Sequence, residues 1–358
     1  MAWRATRAMT TKEFRQLGRD RRTLALLIFQ PLLLLVIFGY AASFDVSEVD
    51  AAVYGPAADQ LAPRLPGRLQ VTETDPAAGR AEAEDLLRAG TVTVVLLTDE
   101  QPPRALVDGS QLFAARAVVS GLAQAPIEVE SEVLFNPDLE TPPILVPALA
   151  GLVLAFVGTI ATSLGIVRER QNGTIEQLAV MPFRPSEVLT GKVAPYFLIS
   201  VVDLVMVIAV SVTLFDVPFA GSVWLFGTGS LLFLAVTLGT GLLVSTVSEN
   251  QGQAMQLSLM VTLPQVLLSG AIFPVESMAA GVRWIAYVLP LTWFVELARG
   301  VMLRAAGWGD LLLPLGALVG LAVAVFGLAI LRVRRDLSPV TGERAEGVEE
   351  TPRSAAPV

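Results

Sequence analysis

The hydrophobic positions of this chain gather in blocks. Thr23–Phe44 carries no charge and has Pro31 near its middle as a predicted kink; further blocks run Pro143–Val167, Val193–Phe215, Trp224–Val247, Ala254–Val275 and Leu311–Leu331. About 20 apolar residues cross a bilayer as a helix, so each of the six blocks reads as a transmembrane helix. Thr23–Phe44 is too long for the apolar core of a cleaved leader and has no cleavage pattern before it, so it reads as an anchor.

Between the blocks the pattern changes. Residues 45–142 alternate or repeat on the scale of a soluble domain, with strands expected at Ala51–Tyr54, Leu69–Glu73, Val92–Leu97 and Ile127–Leu134. Helices are expected at Gly79–Ala89 and Gln111–Gln124, and about 100 residues is a normal size for an independent α/β domain. The predicted fold class is therefore a polytopic α-helical membrane protein, with six spans and an extracytoplasmic α/β domain between the first and second. The second to sixth spans occupy a region running from residue 143 to 335.

Within that region, Arg168–Lys192 is a polar insert between two spans. Arg168, Glu169 and Arg170 open it, Asn172-Gly173 turns it, and a short helix is expected over Thr174–Val180, closed by Met181-Pro182. Pro185-Ser186-Glu187 starts a second helix expected to end at Gly191. A hydroxyl followed by an acid near each start suits capping and the helix dipole. Two short helices held at the membrane face form a docking platform, or else a linker whose charge fixes topology. Residues 276–308 are too polar and too broken to span: Pro290, Trp284, Tyr287, Trp293 and Trp308 predict a bent, re-entrant pair of short helices at the outer interface. Arg283, Glu296, Arg299 and Arg304 are placed to pair within it.

Charge sets the orientation. Residues 1–22 hold seven Arg and Lys against Glu13 and Asp20, and read either as an amphipathic helix lying on anionic lipid or as a basic tail that fixes topology. The last span is followed by Arg332, Arg334 and Arg335, and residues 336–358 form a Pro-, Glu- and Ala-rich tail expected to be disordered. An even number of spans puts both termini on one side, and the positive-inside rule makes that side the cytoplasm. Residues 45–142 then lie outside, with 17 acids against six Arg, a net charge of −11 against −8 for the whole chain. That acidity reads either as attraction for cationic substrates or as plain solubility.

Composition mainly excludes. Of the 358 residues 53% are hydrophobic and 16% charged, too apolar for an ordinary soluble domain. There is no Cys and no His, which removes disulfides, thiolate chemistry, Cys or His metal sites and His bases. No phosphate loop of the G-x-x-x-x-G-K-[ST] type is present, and nothing points to nucleic acid. Asp203 is the only acid inside a predicted span, where a carboxylate should face the protein interior, a cavity or a partner. Gln30, Gln256 and Gln265 are weaker candidates for the same polar path, since a lone amide also glues helices together. Gly316 and Gly320 form a G-x-x-x-G on the last span, and Gly227, Gly229, Gly239 and Gly241 cluster in the fourth.

Five stretches in order, TKEFRQLGRDRRTL at Thr11–Leu24, VDGS at Val107–Ser110, FNPDLET at Phe135–Thr141, RERQNGTIEQLAVMP with its trailing GKVAPY, and PLTWFVELARG at Pro290–Gly300, carry a resemblance. The chain resembles the membrane permease subunit of type-2 ABC (ATP-binding-cassette) exporters, the bacterial drug-export kind with a large outer domain after the first helix. The resemblance implies a half-transporter without an ATPase of its own, binding no cofactor or metal, with ATP and Mg held by a separate ATP-binding-cassette subunit. It further implies a second permease copy or a sister permease, and an inner-membrane location. Arg168–Lys192 becomes the coupling segment, with Arg168, Glu169, Arg170, Thr174, Glu176 and Gln177 as contact or positioning residues and Gly173 and Pro182 setting its turns. The expected function is export of an amphipathic, drug-like or lipid-like substrate. The alternative is a membrane-anchored sensor or binding protein acting through the α/β domain; an intramembrane enzyme is disfavoured, since no paired acids lie in the spans.

Overall fold

The structure, a computed structural model, describes residues 49–65, 67–124, 128–172 and 185–337. The expected basic segment 1–22, the first span Thr23–Phe44 and the short helix Thr174–Val180 lie outside the described residues.

The first described part is a five-stranded sheet with helices on both faces. Its elements are β1 (Val49–Tyr54), α1 (Ala58–Leu61), β2 (Leu69–Asp75), α2 (Arg80–Ala89), β3 (Val94–Leu97), β4 (Arg104–Asp108), α3 (Leu112–Leu122) and β5 (Glu130–Leu134). Strand order is β2-β1-β3-β4-β5, parallel except where β3 meets β4. Central strands buried on both faces read as continuous apolar runs, and VVLL in β3 is one. Val49, Ala51, Val53, Val94, Leu96, Ala105 and Val107 pack against α1 and α3 on one face. Ala52, Tyr54, Val95, Leu97 and Leu106 pack against Ala83 and Leu87 of α2 on the other. Each fully buried leucine contributes about 1.5–3 kcal/mol by leaving water. The edges are polar: Arg80 of α2 grips Glu132 of β5 through two hydrogen bonds of 2.6 and 2.9 Å. That ion pair holds the Glu132 carboxyl below its ordinary value, and Arg104 adds to the effect.

The strands and helices expected from periodicity are present, with ends shifted by a few residues. The strand β4 was not foreseen: only five residues long, it contains the Val107-Asp108 that begins the VDGS stretch.

The second part is helical: α4 (Pro142–Gln171), α5 (Pro185–Leu214), α6 (Val223–Val247), α7 (Gln251–Leu268), α8 (Ala280–Ala286), α9 (Pro290–Met302) and α10 (Leu312–Leu337). Four described segments are long and apolar enough to cross a membrane: Pro142–Gln171, Val193–Leu214, Val223–Val247 and Leu312–Arg332. The block expected to span Ala254–Val275 is instead the 18-residue α7, which starts earlier and stops at Leu268. Gln253, Gln256, Ser258, Thr262 and Gln265 dilute its hydropathy, and the chain then turns through Gly270, whose φ of 78° suits glycine. Two more expectations are corrected. The break foreseen at Gly191 does not occur, because α5 runs from Pro185 straight through Pro195. The last helix continues past Leu331 to Leu337, taking in the first two residues of the expected tail.

Lipid is as apolar as leucine, so packing rather than water exclusion holds such helices together, and small residues permit close approach. Along α4, Gly151, Gly158 and Gly165 recur every seven residues and meet Phe294, Thr237 and Tyr196 respectively, each closer than a side chain would allow. Phe294 in turn stacks on Phe233 of α6 at 4.5 Å between ring centres. Gly316 and Gly320, by contrast, face open space. The bent segment after α7 is built, as foreseen, from short helices: a single 3-10 turn, the seven-residue α8 and α9.

Candidate functional site

Three of the five stretches singled out in the sequence converge where the sheet meets the helices. The first is VDGS. Asp108 ends β4, and its Oδ1 accepts the Ser110 amide at 2.9 Å while its own amide donates to the Thr93 carbonyl at 2.8 Å. Gly109 follows because a Cβ there would lie 2.8 Å from the carbonyl oxygens of Leu134 and Asn136. The second is FNPDLET. Its Asn136 amide group donates to the Gly109 and Glu140 carbonyls at 3.3 and 2.9 Å, and its oxygen accepts the Glu140 amide at 3.1 Å. Phe135 (φ 67°) and Leu139 (φ 48°) flank it in left-handed backbone, strain that the surrounding hydrogen bonds hold in place.

The third is PLTWFVELARG, which forms α9. Glu296 on that helix receives the Arg304 guanidinium, whose other nitrogen lies 3.5 Å from Asp108 Oδ2. Arg304 and Asp108 are 1% and 0% exposed, while the Glu296 side chain remains 43% exposed. Gly90 closes the site from α2: its φ of 73° suits glycine, and a Cβ there would overlap the guanidinium. Ala305, next to Arg304, is also left-handed at φ 52°. Burial pushes the Asp108 carboxyl above its ordinary value, against the pull of Arg304 and Ser110. Burial likewise works against charge on Arg304, but Glu296 and Asp108 outweigh it, so the guanidinium stays charged. A buried pair of this kind contributes little net stability, yet removing one partner strands the other in a dry site.

Beside the cluster lies a cavity of about 360 Å³ between the sheet domain and the helices. Its lining includes the apolar Phe113, Leu145, Ile272 and Val295 and the charged Glu296, Arg299 and Arg304. Arg299 donates to the carbonyls of Gly270 and Ala271 at 3.1 and 3.4 Å, in the turn that follows α7. Tyr287 and Trp293 also line it, with ring centres 5.9 Å apart.

The residues proposed from sequence lie elsewhere. Arg168 and Arg170 are exposed at the end of α4, with Glu169 half-buried between them. Arg170 donates to the Ser248 carbonyl at 3.2 Å and Gln251 to Gln171 at 2.9 Å, which ties α4 to the α6–α7 turn. Gly173, Thr174, Glu176, Gln177, Pro182 and Gln30 lie outside the described residues. Asp203 is half-buried on α5, on the same side as the buried Ser200 and Ser211. Gln256 and Gln265 sit on α7 nine residues apart, so they point to opposite sides of the helix, and Gln265 is the buried one. Neither they nor Asp203 line the cavity. No cluster of acids suited to a metal occurs among the described residues. Sequence reasoning grouped Glu296 and Arg304 with Arg283 and Arg299 as residues placed to pair, without choosing the pair, and missed Asp108, for which the one signal was its place in VDGS.

Four helices long and apolar enough to cross a membrane, with an α/β domain fastened to the helices by buried charges, describe an integral membrane protein. The model of the ABC-2 family transporter proteins matches residues 21–331, and the chain belongs to that family. It is 31% identical to the probable multidrug ABC transporter permease YbhS of Escherichia coli K12, over 94% of this chain and 98% of that one. The probable multidrug ABC transporter permease YbhR of the same organism is 27% identical over 82% of this chain and 89% of its own length. The inner membrane transport permease YhhJ is 33% identical over 59% of this chain and 57% of its own length. Membership implies an ATP-binding-cassette partner.

Proposed function

We propose that this chain is the transmembrane subunit of an exporter that moves an amphipathic, drug-like or lipid-like molecule outward. ATP, with Mg, is hydrolysed on a separate subunit docked at Arg168–Lys192. A second permease, identical or a sister, completes the pathway. Both termini are cytoplasmic, in a bacterial inner membrane, and the sheet domain lies outside, as the basic segments predict.

The observation that carries this reading is the continuity of α4. Thirty residues of unbroken helix, about 45 Å at 1.5 Å per residue, begin beside the cavity and end at Arg168–Gln171. Its far end is hydrogen-bonded to the α6–α7 turn, and Ile144 and Leu145 near its start line the cavity. A push delivered at one end therefore reaches the other as a rigid displacement. The test is affinity capture of the full chain from mildly solubilised native membranes, then mass spectrometry. An ATP-binding-cassette protein in stoichiometric amount, lost when Arg168–Lys192 becomes a flexible linker, supports the reading; no such protein in repeated captures overturns it.

A further inference from the structure

The buried face of α7 is polar, and only half of it is satisfied. Ala254, Ser258, Thr262, Gln265 and Ser269 recur at helical spacing, and all five are buried. Ser258 shares a hydrogen bond of 2.8 Å with Ser163, which turns this face toward α4. On the side of Arg170 the two helices are well joined. Besides the serine pair, Gln251 donates to Gln171 at 2.9 Å and Arg170 to the Ser248 carbonyl at 3.2 Å. On the side of the cavity the joining stops. The Thr262 hydroxyl and Gln265 Oε1 have no hydrogen-bond partner, although their residues are 0% and 3% exposed.

Nothing local forces this on Thr262. Thr213, Thr228 and Thr240 each donate to the carbonyl four residues back in their own helices, a bond open to a helical threonine. On α4, Thr159 continues the Ser163 face, but its hydroxyl donates to the Thr237 carbonyl of α6. Phe156 and Leu152 follow it at helical spacing, and their side chains offer no polar atom. A buried oxygen without a partner costs free energy that contact with water returns. The same stretch is easily bent. Pro264 cannot donate to the Met260 carbonyl, so the helix ladder lacks a bond there. Ser269 and Gly270, just past the end of α7, line the cavity of about 360 Å³, so the segment has open space beside it.

We infer that Val261–Leu268 is a flap on α4, hinged at Met260, which swings off that helix and admits water to Thr262 and Gln265 while Gln251–Ser258 stays fixed. Leu267 and Leu268 belong to an apolar cluster with Met278 and Ala286, so the flap moves together with α8. The inference goes beyond the export reading and rests on it only for the push along α4 that drives the swing.

The chain has no cysteine, so single cysteines report on it without background. Thr262→Cys, Gln265→Cys, Ser258→Cys and Leu268→Cys, each in the full chain in lipid nanodiscs, are timed for reaction with a small, charged, water-soluble methanethiosulfonate. All four positions are buried. Thr262→Cys and Gln265→Cys should react faster than the other two by a factor of about ten or more, because local opening sets the rate. Equal rates overturn the flap; so does Leu268→Cys reacting fastest, since that is fraying of the helix end. Thr262→Val, combined with Gln265→Cys, removes the stranded hydroxyl at nearly constant shape. It should raise the melting temperature and slow the Gln265→Cys reaction about threefold or more. A higher melting temperature with an unchanged rate makes Thr262 a packing defect and overturns the flap. No ATPase is present, so this result and the affinity capture stand apart. Slow reaction rejects the flap and leaves the export reading; fast reaction with no captured ATPase keeps the flap and rejects that reading.

Discussion

Arg304 and Asp108 meet at 3.5 Å with both side chains closed to solvent, so the loop leading into the last helix is fastened to the end of a central strand. Such a contact holds position more than it stabilises, because each charge must give up its water. Arg304→Met should lower stability by about 3–5 kcal/mol, since Asp108 is left buried without a counter-charge. The double variant Asp108→Asn/Arg304→Met should recover part of that loss. Thermal unfolding of the four proteins of this cycle in one detergent checks it, and strict additivity would show that the pair is not coupled.

Much of this fold was legible because burial imposes periodicity. The runs at Ala51–Tyr54 and Gly79–Ala89 are amphipathic or doubly buried over enough residues to announce a strand and a helix, and both are there. The strand Arg104–Asp108 escaped because five residues beside a Pro-Pro pair leave too little pattern. Helix length in α7 was overestimated because apolar residues continue through Ala271–Val275 after the backbone has turned at Gly270. The site was half legible for a different reason. Glu296 and Arg304 are near neighbours on one segment with Arg283 and Arg299, so pairing among these four could be foreseen. Asp108 is brought to them by tertiary packing of the sheet, which leaves no local trace.

Glycine spacing separates internal packing from free surface. Gly151→Ala places a methyl group on the Phe294 ring, and overpacking of this kind costs typically about 1–3 kcal/mol. Gly316→Ala meets nothing within 4 Å, and as a helical glycine replaced without a clash it should keep or slightly raise the unfolding temperature of the isolated chain. A comparable drop for both would contradict the packing described for α4.

Acid should loosen the sheet domain through Glu132. Its folded carboxyl is held below the ordinary value by Arg80, so it contributes stability that is present above the unfolded value of 4.5 and lost as pH falls through the folded one. The melting temperature should therefore decline on acidification below about pH 4.5, and Glu132→Gln should flatten that decline while lowering stability at neutral pH. Both partners are partly exposed, so the effect should also shrink with added salt.

Reversing charge on the expected docking helix tests the coupling segment directly. Glu176 falls on the stretch Thr174–Val180, and in the export reading it faces the ATPase. Glu176→Lys should reduce ATP-driven efflux at least tenfold, equivalent to about 1.4 kcal/mol or more at the contact, while the chain still reaches the membrane at normal levels. The paired control is Asp203→Asn, which lies far along α5 from that end and changes a half-buried group among helices. If Asp203 contacts substrate, its variant should alter transport with ATPase binding intact; if it only packs helices, membrane levels should fall instead. Normal efflux by Glu176→Lys would show that the force enters the membrane helices somewhere other than Arg168–Lys192, and the rigid α4 would then lose its assigned role as the lever.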